Sequence, residues 1–267
     1  MTLNNIAFYT FQPGVENTID AIAAARALLE VMRGEFPERS YSQMMQYRLS
    51  GNAANDCTDR YFIAVSGKQY IARLWHGWGK NAGAIGNFGN FATDEKFRRL
   101  GIGKVLLNMW FEDINTISDQ PLGLFCTSKM ELIELYGRYG FRSAMRDPQD
   151  PAPLYKPCAS AAPTFQEFCE EYYTACDSLQ IRPGTIRDRH EIDCLLRFAF
   201  RDNNKMPFGF DDMPGYEPAY LAAVSGLGNM PEVITTADGK VVGWAYTPLN
   251  GKRRIQLHWQ YKPDDVQ

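Results

Sequence analysis

Apolar and polar positions alternate with two different periods along the first 75 residues. Their spacing predicts, in order, a strand, a long helix, a shorter helix and a β-hairpin, over residues 6–11, 21–32, 41–49, and 60–65 with 69–75. Asn17 or Thr18 is the expected cap of the first helix, and Gly34 its expected end. The hairpin is expected to turn at Gly67.

A basic, glycine-bearing turn follows the next strand-like run, residues 84–93, and a helical pattern continues from Val105. Free N–H groups and the positive end of the helix dipole would both point at one spot, which favours an anion. Arg98, Arg99 and Lys104 add positive charge there. The turn has neither the ending of a nucleotide P-loop nor GxGxxG. It therefore predicts a phosphate site, and the alternative is an ordinary strand–helix turn.

Two segments together resemble the GNAT superfamily of acyl-CoA N-acyltransferases. Arg98-x-x-Gly101-x-Gly103 is similar to its pyrophosphate loop, and Leu135-Tyr136-Gly137-Arg138-Tyr139-Gly140-Phe141 to its Leu-Tyr-x-x-x-Gly-Phe signature. A strand candidate at 122–126 and a helix candidate at 129–139 lie after the loop. The resemblance covers about residues 60–157 and implies an α/β fold, a mixed sheet with helices in the order β-α-α-β-β-β-α-β-α.

The resemblance implies acetyl-CoA as the acyl donor, and no metal. The backbone of Phe91, Ala92 and Thr93 would pair with the pantetheine arm like an added strand. The residues expected to hold the pyrophosphate follow one another in the loop: Arg98, Arg99, Leu100, Gly101, Ile102, Gly103 and Lys104. Ser128 stands where the family commonly has an asparagine, and is expected to be a weak helix cap and cofactor contact.

Tyr136 falls on the family's general-acid tyrosine. A phenol with a reference pKa of about 10 is protonated at neutral pH and can donate to a leaving thiolate. The alternative is a core aromatic on an amphipathic helix. Tyr139, directly before Gly140-Phe141, is the second choice for the acid and is expected to pack.

The general base is not evident from the sequence. Asn87 stands where some family members have a glutamate, and it can hold a water or the substrate amine but cannot take a proton. His76, between Trp75 and Trp78, is either a base or a structural histidine. Deprotonation through water is therefore expected. The acceptor site is expected along the first two helices and a loop at 75–79, and the apolar second helix gives little support for a polycationic acceptor.

The chain repeats some of its features after residue 180. Ile181-Arg182-Pro183-Gly184 echoes Phe11-Gln12-Pro13-Gly14, and residues 233–242 echo 62–71. The predicted organisation is a GNAT domain at 1–157, a linker with a helix at 158–180, and a degenerate GNAT-like half without a CoA loop at 181–267. An unrelated α+β cap is the alternative for the last part.

The composition and net charge argue against some classes of binding partner. A net charge of −3 and a pI near 5.7 argue against bulk attraction to nucleic acid or to a membrane surface. No apolar run approaches the roughly 20 residues needed to span a bilayer, and no secretory signal is apparent. Six cysteines without CxxC spacing favour a reduced, cytoplasmic setting.

These observations predict an acetyl-CoA-dependent N-acetyltransferase that acts on a primary amine by direct attack in a ternary complex. The alternative is a CoA-binding pseudoenzyme with a tandem GNAT-like fold that serves regulation or assembly. The expected partners are CoA and a small-molecule or peptide amine. The identity of the amine, the acyl-chain length and a homodimer remain open.

Overall fold

The computed structural model describes residues 5–35, 39–80, 85–145, 150–158, 162–174, 176, 178–195, 215–258 and 260–261. Among these residues are seven α-helices: α1 (Ile19–Glu35), α2 (Arg39–Leu49), α3 (Ile102–Thr116), α4 (Ile133–Gly137), α5 (Phe165–Tyr172), α6 (Arg189–Cys194) and α7 (Tyr216–Val224). The same residues form eleven strands: β1 (Ile6–Phe11), β2 (Cys57–Ser66), β3 (Gln69–Gly79), β4 (Ile85–Thr93), β5 (Gly123–Ser128), β6 (Arg142–Ser143), β7 (Ala152–Pro157), β8 (Gln180–Pro183), β9 (Glu232–Thr235), β10 (Val241–Tyr246) and β11 (Arg254–Leu257).

The chain divides into two compact units. The first comprises Met1–Lys80 and Phe88–Gln120, and the second comprises Asn81–Asn87 and Pro121–Gln267. Strand β4 therefore contributes residues to both. The domain boundaries predicted from the sequence, at 157 and 180, do not coincide with this division and stay a prediction.

The first unit carries strands in the order β1-β2-β3-β4. The β1–β2 and β2–β3 pairs are antiparallel. Helix α1 begins where the Thr18 hydroxyl accepts the Ala21 N–H at 3.2 Å, so Thr18 is the cap. The buried residues of α1 recur at helical spacing and join a core cluster with the sheet: Ala21, Ala24, Ala25, Leu28 and Met32. Helix α3 buries its own apolar stripe through Ile102, Leu106, Leu107, Trp110 and Ile114.

The second unit contains two sheets. In one the order is β4-β5-β7-β6, and in the other β8, β9, β10 and β11 follow one another antiparallel. Strand β5 runs parallel to β4 over three residue pairs, from Ile85↔Gly123 to Asn87↔Phe125. An aromatic cluster holds this unit together, in which Phe125 and Tyr155 pack against Phe165 and Phe168.

The predicted mixed α/β fold is confirmed, and the elements from β1 to α4 follow the order that the resemblance implies. Three expectations were wrong in detail. The helix expected at 129–139 is a 3-10 turn, Met130–Leu132, followed by the short α4, which ends at Gly137 with Arg138 as its C-cap. The helix expected within the 158–180 linker, over about residues 164–179, ends at Tyr172. The expected loop at 75–79 belongs to β3, where it pairs with residues 57–61.

Two further features of the later chain differ from expectation. Helix α7 was not predicted. The spacing of apolar residues over 192–199 predicts a helix, and α6 begins three residues earlier, at Arg189. Residues 196–199 of that pattern lie outside the described residues. No helix in the described ranges is both long enough and apolar enough to cross a membrane.

Candidate active site

The turn after β4 is fixed by local hydrogen bonds. The Asp94 carboxylate accepts the Lys96 N–H at 2.9 Å and so starts a 3-10 turn, Glu95–Phe97. Phe97 is buried and anchors this turn. Arg98 Nε then donates to the Thr93 carbonyl at 3.2 Å. These contacts fix the path of the chain from the end of β4 towards α3.

The start of α3 has the features of an anion cradle. Gly101 is the N-cap residue with a φ of 82°, in the left-handed region, and it offers no side chain to the first N–H groups of the helix. Arg99 also has a positive φ, 64°. The side chains of Arg98, Arg99 and Lys104 are exposed. Unsatisfied helix N–H groups beside solvent-facing cations fit a phosphate.

Gly103 fits the same cradle for a packing reason. A Cβ at this position would stand 3.0 Å from Cζ of Phe91, a distance tighter than nine in ten real Cβ contacts. Glycine therefore lets the first turn of α3 lie directly against β4. Leu100 is half-buried and Ile102 is buried, so these two loop residues are packed inside the protein.

A cavity of about 610 Å³ opens in the first unit beside the end of β4. Ala92, Thr93 and Arg98, three of the residues predicted to contact CoA, line it together with parts of α1 and β3. Its volume suits an organic ligand. Its wall also carries four acidic side chains, Glu30, Glu35, Asp94 and Glu95. Those carboxylates disfavour a diphosphate inside the cavity, which leaves the α3 start as the better phosphate site.

Tyr136 lies on α4 in the second unit and is 5 % exposed. Burial raises the pKa of its phenol above the usual value, while a hydrogen bond with Ser128 opposes that shift. The phenol is therefore protonated at neutral pH. Its ring meets Phe141 edge-on at 5.8 Å between centroids, and the Phe141 N–H donates to the Tyr136 carbonyl at 3.2 Å. This geometry is compatible with a proton donor and with a core aromatic.

Ser128, at the end of β5, does not act as a helix cap. The 3-10 turn after it is capped by Lys129, which makes no side-chain cap bond. The Ser128 hydroxyl instead donates to the Lys129 carbonyl at 3.2 Å and interacts with the Tyr136 phenol. The predicted cap is therefore wrong. The predicted cofactor contact of Ser128 stays a prediction.

Asn87 is buried, and its amide is already engaged. Its Oδ1 lies 2.7 Å from Nδ1 of His190, and its Nδ2 donates to Oδ2 of Asp193 at 3.1 Å. Both partners lie on α6. Sequence reasoning missed these two residues, because no local spacing links a strand residue to a helical turn more than 100 positions away. The expectation that Asn87 holds a water or the amine stays a prediction.

His76 is fully buried in β3. Its Nε2 lies 3.3 Å from Oδ2 of Asp113, whose other oxygen pairs with Arg60. Burial lowers the pKa of His76, and the Asp113 carboxylate opposes that effect. Trp78 packs edge-on against the ring at 5.2 Å. Of the two hypotheses for His76, the structural one agrees with this burial, and the 75–79 segment does not form an exposed acceptor loop.

No family model matches the chain, and no curated protein matches it by sequence. The solved structures to which it is similar include ElaA of Escherichia coli, with 13% identity over 57% of this chain and 99% of that chain at a TM-score of 0.42. An acyl-CoA N-acyltransferase from Pseudomonas aeruginosa has 15% identity over 57% and 99%, at 0.40. NAA60 of Arabidopsis thaliana, in complex with a bisubstrate analogue, has 18% identity over 56% and 94%, at 0.37.

Proposed function

We propose that the chain is an acetyl-CoA-dependent N-acetyltransferase that transfers the acyl group to a primary amine by direct attack in a ternary complex. The observation that carries this proposal is the start of α3. Gly101 caps the helix in the left-handed region, Gly103 lies against Phe91, and the exposed residues Arg98, Arg99 and Lys104 belong to the same loop. The Arg-x-x-Gly-x-Gly pattern and the order of elements support the same proposal.

The loop residues would hold the diphosphate through backbone N–H groups and the charges of Arg98, Arg99 and Lys104. Residues 91–93, which are half-buried, would pair with the pantetheine arm through their backbone groups. When bound, acetyl-CoA supplies an activated acyl group as a thioester. The neutral lining residues Ala92 and Thr93 suit the uncharged part of such a ligand better than its phosphates.

Tyr136 is proposed as the proton donor to the leaving sulfur. Its phenol keeps its proton because burial raises the pKa, so it is in the form that general-acid catalysis needs. The hydrogen bond with Ser128 orients the hydroxyl. The amine must lose its own proton before it attacks, and none of the sequence-predicted residues has a side chain placed for that step.

Two further proposals concern organisation and location. In each half one strand is followed by two described helices and three more strands, β1-α1-α2-β2-β3-β4 and β8-α6-α7-β9-β10-β11, and both sheets run in sequence order. This parallel supports residues 181–267 as a degenerate GNAT-like half. All six cysteines are free thiols, which supports a reducing, cytoplasmic location.

The experiment that tests the proposed activity is a release assay for free thiol. Purified protein is incubated with acetyl-CoA and a panel of primary amines, and the acetylated product is identified by mass. Amine-dependent thiol release supports the enzyme. Binding of acetyl-CoA without turnover of any amine would favour the pseudoenzyme instead.

A further inference from the structure

Two residues on one turn of α6 form hydrogen bonds with the side-chain amide of Asn87. His190 and Asp193 are three positions apart, so they share a face of the helix. His190 Nδ1 lies 2.7 Å from the amide oxygen, and Asp193 Oδ2 lies 3.1 Å from the amide nitrogen. All three residues belong to the second unit. The contacts therefore form one hydrogen-bonded network within that unit.

The network fixes where the protons are. Arg189 Nε donates to His190 Nε2 at 3.0 Å, so that ring nitrogen carries no proton. The proton of the neutral ring is then on Nδ1 and is donated to the Asn87 oxygen. This leaves the Asn87 nitrogen to donate to Asp193. Arg189 is balanced by Glu217 of α7 at 3.2 Å. Because both nitrogens of His190 are engaged, the ring is not the base.

Asp193 is the group in this network with access to solvent. Arg189, His190, Asn87 and Glu217 are each less than a tenth exposed, whereas Asp193 is half-buried. Among the described residues, the ionisable groups of the network besides Asp193 are Arg189, His190 and Glu217, and the thiol of Cys194 lies beside it. Asn87 is also the last residue of β4 in register with the parallel β5. Both strands continue past this pair, β4 to Thr93 and β5 to Ser128, so Asn87 lies where the paired part of the two strands ends.

We propose that Asp193, held by Asn87 and His190, is the carboxylate that binds the ammonium group of the acceptor and takes its proton. This inference rests on the proposed acetyltransferase function and adds the substrate class, a primary amine that is cationic at neutral pH. Asp193 then supplies the acidic group that position 87 lacks. Asn87 and His190 are positioning residues, since they act through Asp193.

The proton and electron balance is complete without another reactant. An N–H bond of the ammonium breaks and an O–H bond forms on Asp193, which frees the nitrogen lone pair. That lone pair forms the amide C–N bond, the thioester C–S bond breaks, and the sulfur takes the proton of Tyr136. The second proton of the attacking nitrogen returns to the Tyr136 oxygen through solvent. Asp193 releases its proton to solvent, so the net products are the amide, the free thiol and one proton.

A purely structural role for Asp193 makes a different prediction. In that case the carboxylate only fastens α6 to β4, and any donor–acceptor pair at the two positions suffices. Exchanging the two residues, Asn87→Asp with Asp193→Asn, keeps an amide–carboxylate hydrogen bond. It also keeps an oxygen that accepts from His190 Nδ1. The exchange moves only the carboxylate, so it separates the two roles.

The experiment compares the wild type, Asp193→Asn, the exchanged double variant and Asp119→Asn, an exposed aspartate that serves as the matched control. Turnover of acetyl-CoA with n-butylamine, spermidine and a dipeptide with a free N-terminus is followed from about pH 6.5 to 9.5, a range chosen to span the change in amine protonation. Calorimetry measures binding of the same amines without acetyl-CoA, and binding of acetyl-CoA alone. Melting temperatures report folding.

We expect Asp193→Asn to lower kcat/KM for the amine by about 10²-fold or more at pH 7. The loss should shrink at the alkaline end of the range, where more of the amine is neutral in solution. Amine binding should weaken about tenfold, acetyl-CoA binding should be unchanged, and the exchanged variant should stay impaired. Wild-type turnover in Asp193→Asn or in the exchanged variant would overturn the role assigned to Asp193. It would leave the proposed acetyltransferase function standing. A wild type that binds no acetyl-CoA, or acetylates none of the amines, contradicts the proposed function itself and this inference with it.

Discussion

Cζ of Phe91 lies 3.0 Å from the point where a Cβ on Gly103 would stand. A methyl group at 103 would force Phe91 or the first turn of α3 to move by a few tenths of an ångström. Since the same turn presents its N–H groups as the proposed phosphate site, packing and cofactor binding depend on one backbone position. Substitution of Gly103 should therefore weaken both the packing of α3 on β4 and the binding of acetyl-CoA.

Gly103→Ala is expected to weaken acetyl-CoA binding about tenfold, because Phe91 or the helix start must shift to admit the methyl group. Gly34→Ala is the matched control, since it also lies in a helix but has nothing within 4 Å of the place that its new methyl group would take. Gly34→Ala should raise the free energy of unfolding by about 0.5–1 kcal/mol, because alanine has the higher helix propensity. Gly103→Ala should raise it by less, or lower it. Calorimetry and urea unfolding measure the two effects. Equal affinities in both variants would remove Gly103 from the site.

Tyr136→Phe should lower kcat by about 10²-fold or more and leave acetyl-CoA binding largely intact, because only the proton donor is removed. The lost hydrogen bond with Ser128 should cost about 1 kcal/mol of stability. Tyr139→Phe, three residues on, is the control and should retain turnover. Turnover that survives in Tyr136→Phe would return this residue to the role of a core aromatic.

The parts of the fold and site that local signals determine were predictable from the sequence. Gly67 at the hairpin and Gly101 before α3 take positive φ values that other residues rarely adopt, so their positions predicted the turns. The Thr18 cap of α1 was predictable in the same way, because it is also a local signal. These features depend on neighbours within a few residues.

Contacts between distant residues could not be predicted in this way. Asn87 and Asp193 are 106 positions apart, and nothing in either segment specifies the other. The aromatic and glycine residues at 75–79 have the composition of a hairpin tip, yet ten-residue pairing with β2 places them inside the sheet. The burial of His76 follows from that pairing and from packing near Asp113 of α3. Tertiary structure decided each of these cases.

Glu191→Gln should raise stability at about pH 8 and leave it nearly unchanged at about pH 4.5. Burial raises the pKa of Glu191 to about 7 from 4.5, while the Tyr172 hydroxyl donates to its carboxyl at 2.7 Å and opposes the shift. Between these pH values the unfolded chain holds fewer protons than the folded one. The Glu191 contribution to stability is therefore greatest below pH 4.5 and is lost as the pH rises through 7.

The expected gain at the higher pH is up to about 3 kcal/mol, the cost of ionising the buried carboxyl. Urea unfolding of the wild type and of Glu191→Gln at each pH measures this gain. His76 and His258 are present in both proteins, so their contributions cancel in the difference. Glu167→Gln is not a suitable control, because Glu167 forms a capping box with Thr164, so exposed Glu112→Gln is used. A pH-independent difference would show that Glu191 is ionised in the folded chain.

A chain cut after Pro157 should be poorly soluble. It would lose Phe165 and Phe168, which pack on Phe125 and Tyr155 in the second unit, and so would expose a large aromatic surface. It would also lose Asp193 and with it amine turnover. Gel filtration and the thiol assay test this. A soluble and fully active fragment would support 1–157 as an independent domain and leave regulation or assembly as the role of the remainder.

The most direct test of the account is calorimetric titration of the full chain with acetyl-CoA, beside Gly101→Asp. The account predicts one site per chain, because only the first half of the sequence carries a glycine-bearing basic turn before a helix. Gly101→Asp should abolish the heat of binding, since it places a negative side chain at the phosphate position and disfavours the left-handed φ of 82°. At about 100 times the dissociation constant, acetyl-CoA should also stabilise the wild type by about 2.7 kcal/mol. No binding at millimolar acetyl-CoA, or undiminished binding in Gly101→Asp, would contradict the assignment of the α3 start as the cofactor site.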